Sequence, residues 1–193
     1  MGAAALEEGA RPEVVRAFFG LPVPEAHRAA LAVFLTACAA AAPPFRWTPA
    51  ANLHLTVRFI GSVDRAVVEA VADRLAARPP AAFDLELGSL GTFGRGRHVR
   101  VVWQGLRAGA EAVSALAAEV DAECVAAGLA GEQRPFQPHL TLARARGRDG
   151  AELPPLPDPP QLSPWRATEL VLFASRLSRT GAVYQPLRAL QLD

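Results

Sequence analysis

Two tetrapeptides of almost identical sequence constrain the fold of this chain more than any other feature. They are His54-Leu55-Thr56-Val57 and His139-Leu140-Thr141-Leu142. Side chains alternate between the two faces of a β-strand. Each tetrapeptide, read as a strand, therefore presents its histidine and threonine on one face and its two apolar residues on the other. The sequence predicts two strands that each have one polar face and one face suited to a hydrophobic core.

The residues around these motifs form a series of predicted strands and helices. Apolar runs and alternating patterns predict strands at 16–21, 53–60, 83–90, 99–103, 139–143, 169–175 and 183–192. Apolar residues at helical spacing predict helices at 25–42 and 110–127, and another that runs from a cap at Ser62 or Asp64 to about 77. This pattern, with the repeated motif, predicts an α+β protein made of two related halves. A pseudo-two-fold relation between the halves would bring both His-Thr faces to one cleft.

The composition is compatible with such a fold and excludes some other classes of protein. Hydrophobic residues make up 51% of the 193 residues, which is enough for a sizeable core and excludes a disordered chain. The formal net charge is +1, so the field of the whole molecule will not attract a polyanion. Every basic residue is arginine, so a phosphate contact from a basic side chain would use a planar guanidinium with several donors.

The sequence also predicts where the protein is found. The flexible tail predicted at 1–13 lacks the apolar run of a secretion signal, and residues 14–193 are predicted to form a single domain. The longest apolar stretch, 29–42, is too short to span a bilayer, so no membrane partner is expected. Cys38 and Cys124 have no redox or metal-binding spacing, and we interpret them as buried free thiols in a reducing compartment. A cytoplasmic protein is therefore predicted.

The duplicated histidines and threonines suit the opening of a phosphate ester. Histidine can act as base or acid near neutral pH because its unperturbed pKa is about 6.5, and one neutral and one protonated imidazole would form a complementary pair. The threonine hydroxyls could donate hydrogen bonds to the phosphoryl oxygens. Strand alternation places Arg58 on the same face as His54 and Thr56. Arg144 has the opposite parity from His139 and reaches the site only if its strand ends or bends.

Further arginines lie close to the motifs in the sequence. Arg95, Arg97 and Arg100 lie in or beside the loop 91–98, and Arg146 and Arg148 follow the second motif. These clusters could bind the phosphates of an RNA end locally, despite the near-neutral total charge. For any one of these arginines, a solvated surface charge is an equally good interpretation.

A metal site is the main alternative use of two histidines. A single His-x-Thr strand is usually structural, because threonine favours strands, but its repetition in a matched context favours a paired site. A metal site would need a further His, Asp, Glu or Cys ligand, and the residue paired with each histidine is threonine. Asp149, Glu132 or Glu152 could supply a carboxylate, but nothing in their spacing indicates it. No metal ion and no other cofactor is predicted.

On these motifs the chain resembles the 2H phosphoesterase superfamily. Within it, the chain resembles the RNA 2′,3′-cyclic phosphodiesterases, also called the 2′-5′ RNA ligase family. The resemblance rests on 52–61, which reads NLHLTVRFIG, and on 134–144, which reads RPFQPHLTLAR, and it extends over nearly the whole chain from about Val14. It implies a bilobal α+β fold in which two pseudo-two-fold-related antiparallel sheets with flanking helices surround a central cleft. It is also consistent with a monomer.

The same resemblance implies an activity and a set of site residues. The activity is metal-free hydrolysis of RNA 2′,3′-cyclic phosphate ends to 2′-phosphates, with a possible reverse 2′-5′ ligation, and the substrate is an RNA or oligonucleotide with such an end. By resemblance His54 is the proton donor and His139 the proton acceptor, although the residues alone do not distinguish the two roles. Thr56 and Thr141 would hold the phosphate. The other residues expected to bind substrate are Arg58, Arg144 and Phe136.

Two functions of other classes are also compatible with the sequence. A non-catalytic module could bind RNA ends in the same cleft, although binding alone does not require two titrating groups. A partner-binding protein could present the five prolines of 153–160 as a polyproline ligand, for which a stiff surface loop is the simpler interpretation.

Overall fold

The computed structural model describes residues 13–178 and 181–193 of the chain. The helices are α1 Glu25–Ala41, α2 Arg65–Ala77 and α3 Ala110–Ala126. The strands are β1 Val14–Pro22, β2 Phe45–Trp47, β3 His54–Asp64, β4 Phe83–Arg95, β5 His98–Ala108, β6 Leu140–Ala145, β7 Trp165–Ala167, β8 Glu169–Ser178 and β9 Gly181–Gln191. The tail predicted at 1–13 lies outside the described residues except for Glu13.

The predicted helices and strands are confirmed, with differences at their ends. Helix α2 begins after Asp64, whose carboxylate accepts a hydrogen bond from the backbone N–H of Ala66 at 3.0 Å. Of the two caps considered, Asp64 is therefore the one used. Strands β4 and β5 are longer than predicted because they form one long hairpin that turns at 96–97. The short strands β2 and β7, which the sequence pattern did not indicate, pair with β6 and β4.

All strand pairs are antiparallel, and together they form one nine-stranded sheet with two matching halves. The order is β7-β4-β5-β6-β3-β1-β8-β9, with β2 paired to β6. Each motif strand lies beside a strand that precedes it by one helix of 17 residues, β1-α1-β3 in one half and β5-α3-β6 in the other. The halves meet at the two motif strands, through the single pair Leu55 and Leu140. The predicted α+β class and its two related antiparallel halves are confirmed.

The core lies on the helix side of this sheet. The apolar residues of both motifs are almost fully buried there, namely Leu55, Val57, Leu140 and Leu142. They belong to one cluster that includes residues of all three helices. Burying each such side chain is worth about 1.5–3 kcal/mol, so the apolar face of each motif strand is held firmly against the helices. The histidines and threonines of the motifs are thereby left on the opposite face.

Two smaller expectations can also be compared with the structure. Cys38 and Cys124 are buried and free, as predicted, and burial raises the pKa of each thiol to about 11. The proline-rich segment 153–160 contains neither helix nor strand, and its Leu156 packs against the core. Among the described helices, none is both long enough and apolar enough to cross a bilayer.

Candidate active site

Each motif strand contains a β-bulge at the residue after its threonine. In the pairing of β1 with β3, Gly20 is opposite Thr56 and Phe19 is opposite Arg58, so Val57 is the extra residue. In the pairing of β5 with β6, Trp103 is opposite Thr141 and Val102 is opposite Ala143, so Leu142 is the extra residue. An extra residue shifts the alternation of side chains beyond it by one. In both motifs the fifth residue after the histidine therefore joins the histidine face, and the fourth turns to the core.

This shift overturns one prediction and resolves another. Arg58 was predicted to share the face of His54 and Thr56, and that prediction is wrong. The Arg58 side chain is buried on the helix side, where its Nε lies 2.7 Å from a carboxylate oxygen of Asp121 in α3 and its Nη2 donates to the carbonyl of Ala130 at 2.5 Å. Phe59 takes the place on the polar face and is 44% exposed.

Arg144 lies on the site face for the same reason. It occupies the position equivalent to Phe59. The bulge at Leu142 shifts the alternation of side chains, so that Arg144 reaches the site face although strict alternation would have placed it on the other face. Its side chain is exposed and lines a cavity together with residues of both motifs.

Residues of both motifs converge on one cavity, which we call the histidine cavity. It has a volume of about 600 Å³, and the motif residues that line it are His54, Thr56, Thr141 and Arg144. An antiparallel register centred on Leu55 and Leu140 sets His54 beside Thr141 and Thr56 beside His139. His139 directly precedes β6, the strand that contributes Thr141 and Arg144, and it is not among the residues that line this cavity. Its positive charge contributes to lowering the pKa of His54.

Both imidazoles are oriented in the same way by the backbone. Nδ1–H of His54 donates to the carbonyl of Asn52 at 2.8 Å, and Nδ1–H of His139 donates to the carbonyl of Gln137 at 2.7 Å. Because each Nδ1 carries the proton, each Nε2 in the neutral ring is free to accept one. The hydroxyl of Thr56 donates to Nε2 of His54 at 3.0 Å. The site therefore holds two nitrogen bases in matching tautomers.

The environment lowers the pKa of both histidines below the ordinary value of 6.5. For His54 the main cause is burial, and the positive charges of Arg144 and His139 lower the pKa further, while the hydrogen bond to Asn52 opposes them. For His139 the causes are burial and Arg144, opposed by the hydrogen bond to Gln137. Neutral imidazoles are therefore favoured in the free protein at neutral pH.

Aromatic rings surround each histidine. The ring of His54 lies 4.7 Å from that of Phe18 and 5.1 Å from that of Tyr184, edge to face with the tyrosine. The ring of His139 lies 5.2 Å from that of Phe93, and 6.1 Å from that of Trp103. These rings restrict how the imidazoles can turn, and they supply the burial that lowers both pKa values. Burial also raises the pKa of the Tyr184 hydroxyl.

Several residues of the site were not found by sequence reasoning. Tyr184 comes from β9, Trp47 from β2 and Phe18 from β1, and all three line the histidine cavity. Their positions depend on which strands are neighbours, so no local pattern indicates them. Asn52 could have been found, because it stands two residues before His54 in the motif. Its Nδ2 donates to the carbonyl of Ala182 at 2.8 Å, which anchors the carbonyl that orients the imidazole.

Phe136, which was predicted to contact substrate, is half-buried and packs against the hydrophobic core. It is not among the residues that line the histidine cavity. Over residues 13–178 and 181–193, no three His, Cys, Asp or Glu side chains come close enough together to hold a metal ion. The motifs thus bring together two bases, two hydroxyl donors and the guanidinium of Arg144, and the guanidinium groups of Arg16 and Arg46 also line the histidine cavity. These are the groups needed for acid-base chemistry on an anionic ester.

Comparison with known proteins relates the chain to one family. Residues 23–177 match the sequence model of the 2′-5′ RNA ligase superfamily. An RNA 2′,3′-cyclic phosphodiesterase of Aeropyrum pernix is 33% identical over 150 residues, which cover 75% of this chain and 84% of that protein. The protein of the same name from Escherichia coli is 35% identical over 149 residues, covering 76% and 80%. The crystal structure of E. coli LigT complexed with 3′-AMP superposes with a TM-score of 0.78 at 29% identity, and covers 93% of this chain and 99% of that one.

Proposed function

Because the chain belongs to the 2′-5′ RNA ligase superfamily, we propose that it hydrolyses RNA 2′,3′-cyclic phosphate ends to 2′-phosphates. In this proposal His54 is the proton donor, His139 is the proton acceptor, and no metal ion takes part. The observation that carries the proposal is the matched pair of imidazoles beside the seam of the sheet, each with its Nδ1–H bonded to a backbone carbonyl, so that Nε2 is the nitrogen that can exchange a proton. Curated relatives named for this activity cover most of the chain.

The reaction requires one protonated and one neutral histidine. Nε2 of His139 takes a proton from water as the water oxygen bonds to phosphorus. The bond between phosphorus and O3′ then breaks, and His54 gives its Nε2 proton to O3′. The phosphate remains on O2′, and the proton held by His139 returns to His54 through solvent. Each well-placed acid or base is worth roughly 10²–10⁴ in rate.

The threonines and Arg144 stabilise the negative charge that develops on the phosphoryl oxygens. The hydroxyls of Thr56 and Thr141 lie on either side of the seam, so one can donate from each half of the sheet. The guanidinium of Arg144 offers several charged donors to the same oxygens. The negative charge of the bound ester also counteracts the lowering of the histidine pKa values, which restores a proton to His54 when substrate is present.

The same steps with a 5′-hydroxyl in place of water would form a 2′-5′ linkage. We include this ligation as a weak side reaction of the site, because water is present at far higher concentration than a second RNA end.

The test uses an oligoribonucleotide that ends in a 2′,3′-cyclic phosphate, incubated with the protein in EDTA and followed by phosphorus NMR. The expected result is the loss of the cyclic phosphate resonance and the appearance of a 2′-phosphate monoester. His54→Ala and His139→Ala serve as controls for contaminating activity. Absence of ring opening at every pH, or activity only after a divalent metal is added, would rule the proposal out. Binding of the oligonucleotide without turnover would instead indicate a module that only holds RNA ends.

A further inference from the structure

A second and larger cavity lies next to the histidine cavity, and we call it the arginine groove. Its volume is about 780 Å³, within the range of about 300–1,000 Å³ for pockets that hold a whole small ligand. The charged residues that line it are Arg95, Arg100, Arg144, Arg146, Arg148 and Asp149. They come from the tip of the β4–β5 hairpin, from β5, and from the end of β6 and the loop after it. These are regions that the sequence separates by up to about fifty residues.

The arginines of this groove differ from most others in the molecule in having no carboxylate partner. Within the part of the chain that the structure describes, none of the five lies within 4.0 Å of a carboxylate. Arg97, which is on the same hairpin as Arg95 but does not line the groove, pairs with Glu152 at 2.9 Å. Arg166 and Arg188, on other strands, approach Asp84 and Asp73. Among the described residues, five guanidinium groups without a carboxylate partner thus line one groove, and two more, those of Arg16 and Arg46, line the neighbouring histidine cavity.

Such a collection favours an anionic ligand with several charges. Five like charges around one groove repel one another, and the single carboxylate of Asp149 offsets them only in part. The formal net charge of the chain is +1, so this field is local and is not a property of the whole surface. Guanidinium groups pair with phosphate through two parallel hydrogen bonds. A row of phosphates would therefore satisfy the groove better than a single small anion.

The groove is continuous with the site of the proposed reaction. Arg144 lines both the groove and the histidine cavity. Phe93 lines the groove and packs edge to face on His139, with ring centroids 5.2 Å apart. A phosphate chain that leaves the histidines on the His139 side would enter the groove directly.

We propose that the arginine groove binds the internal phosphodiesters of the RNA strand immediately 5′ to the cyclic phosphate. This inference rests on the proposed function and adds to it a preference for a strand over a mononucleotide. The gain in kcat/KM per engaged phosphodiester is expected to be about tenfold at low salt, the size of one charged hydrogen bond. It should level off after the first few linkages, where the groove ends.

The experiment compares kcat/KM for substrates that differ only in what precedes the cyclic end. They are a nucleoside 2′,3′-cyclic phosphate, the same nucleotide with a 5′-phosphate, and oligonucleotides of two to five residues with the same end. A further oligonucleotide carries uncharged methylphosphonate linkages at the internal positions. We expect kcat/KM to rise with each of the first phosphodiesters. It should return towards the value for the mononucleotide when the internal linkages are uncharged.

The variants test whether the groove is responsible. In Arg146→Gln/Arg148→Gln the ratio of kcat/KM for the oligonucleotide to that for the mononucleotide should fall towards one. The dependence of log(kcat/KM) on log salt should become shallower by about 0.7 for each phosphate that the groove no longer neutralises. The matched control is Arg166→Gln/Arg188→Gln, which removes two positive charges outside both cavities and should keep the ratio and the slope of the parent.

The outcomes separate this inference from the function on which it rests. If no substrate is turned over, the proposed function fails first. If the mononucleotide is turned over but added phosphodiesters bring no gain, or if methylphosphonate linkages gain as much, the groove does not bind the strand. A 5′-phosphate that alone gives the full gain would show a site for a terminal phosphate, which would also overturn the proposal.

Discussion

The two motif strands have the same backbone geometry but carry different side chains. Both carry histidine and threonine on one face, both have the Nδ1–H of the histidine bonded to the carbonyl two residues before it, and both have a bulge after the threonine. The bulge brings Phe59 to the site face in β3 and Arg144 to it in β6. It turns Arg58 to the core in one half and Ala143 in the other. The position after the bulge is thus cationic only in the second half, whereas in the first half Arg16 of β1 supplies a guanidinium that lies 4.7 Å from the centroid of the Phe59 ring.

The strands that flank the motifs differ in a matching way. Gly20 faces Thr56 across β1 and β3, whereas Trp103 faces Thr141 across β5 and β6. The missing side chain of Gly20 leaves room for His54, since a Cβ there would lie 3.2 Å from its ring. Trp103 instead fills its half, over Gly91, where a Cβ would lie 2.3 Å from the indole. The symmetry of the backbone therefore creates two equivalent positions, and the flanking residues decide how crowded each is.

The largest effect is expected from the residues that the two halves share. His54→Ala and His139→Ala should each lower kcat by roughly 10²–10⁴, because each removes a proton-transfer group. The double variant should lose little more than either single one if the histidines act as a pair. Circular dichroism and the melting temperature should stay close to those of the parent. A variant that kept most of its rate would break the comparison, since the two halves would not contribute equally.

Arg144→Met tests the position at which the halves differ. We expect kcat/KM to fall by about 10²–10³, the range for the loss of one donor to developing charge. Removing this positive charge should also raise the pKa of both histidines, since Arg144 lowers each of them. The alkaline limb of kcat/KM against pH should therefore move to higher pH. Phe59→Leu, at the equivalent place in the other half, is the matched control and should leave the limb where it is.

The pH profile of the parent protein tests whether the pKa values of the two histidines are lowered. Burial and Arg144 place the pKa of both histidines below 6.5 in the free protein. A proton donor with a lowered pKa loses its proton at lower pH, so the alkaline limb of kcat/KM should fall below pH 6.5. Because the negative charge of the bound ester raises the histidine pKa values, the alkaline limb of kcat should lie at higher pH than that of kcat/KM. The two limbs of each bell belong to the pair of histidines. Coincident limbs above pH 7 for both parameters would contradict this interpretation of the site.

Arg58 is expected to affect folding more than chemistry. Arg58→Met leaves Asp121 without its partner, and should cost about 2 kcal/mol of unfolding free energy, less than the roughly 3–5 kcal/mol of a fully buried pair. The reduction follows because the Asp121 side chain is 27% exposed and can be solvated. Urea unfolding measures the loss. Alanine at the equivalent position of the other half, Ala143, indicates that no charge is needed for the bulge itself. A tenfold loss of kcat/KM in Arg58→Lys, with stability retained, would show instead that the guanidinium acts on substrate.

The smallest effect is expected from Gly20→Ala. The added Cβ would lie 3.1 Å from the carbonyl oxygen of Leu55 and 3.2 Å from His54, so the ring must move by a few tenths of an ångström. The cost in kcat should be severalfold, well short of the roughly 10²-fold that a 1 Å misplacement causes. Steady-state kinetics on a cyclic-phosphate oligonucleotide measures it. Gly91→Ala, on β4 in the other half, should lower kcat more, since the added Cβ would lie 2.3 Å from the indole of Trp103, which cannot move as easily.

Local pattern was sufficient for the helices, for the longer strands and for the buried face of each motif, but not for the short strands β2 and β7. Leu55 and Leu140 were predicted to face a core from alternation alone, and both are fully buried. Arg58 could not be placed correctly in that way, because alternation counts residues within one strand and a bulge is defined by its partner. The roles of Trp47 and Tyr184 were missed for a related reason. Trp47 lies on β2, which pairs with the distant β6, and Tyr184 lies on β9, which is brought to the site because its hairpin partner β8 pairs with the distant β1.

The amino-acid sequence by itself determined the two His-x-Thr strands, the helices that cover them and the polar face of each strand. These features follow from side-chain periodicity and capping, which act over a few residues. Only the tertiary structure decided that the strands meet at Leu55 and Leu140, that bulges exchange Arg58 for Phe59 and admit Arg144, and that unpaired arginines line one groove. The physical reason is that strand register and ion pairing are set between segments far apart in the chain, where hydrogen bonds and packing with a partner decide which face a side chain occupies.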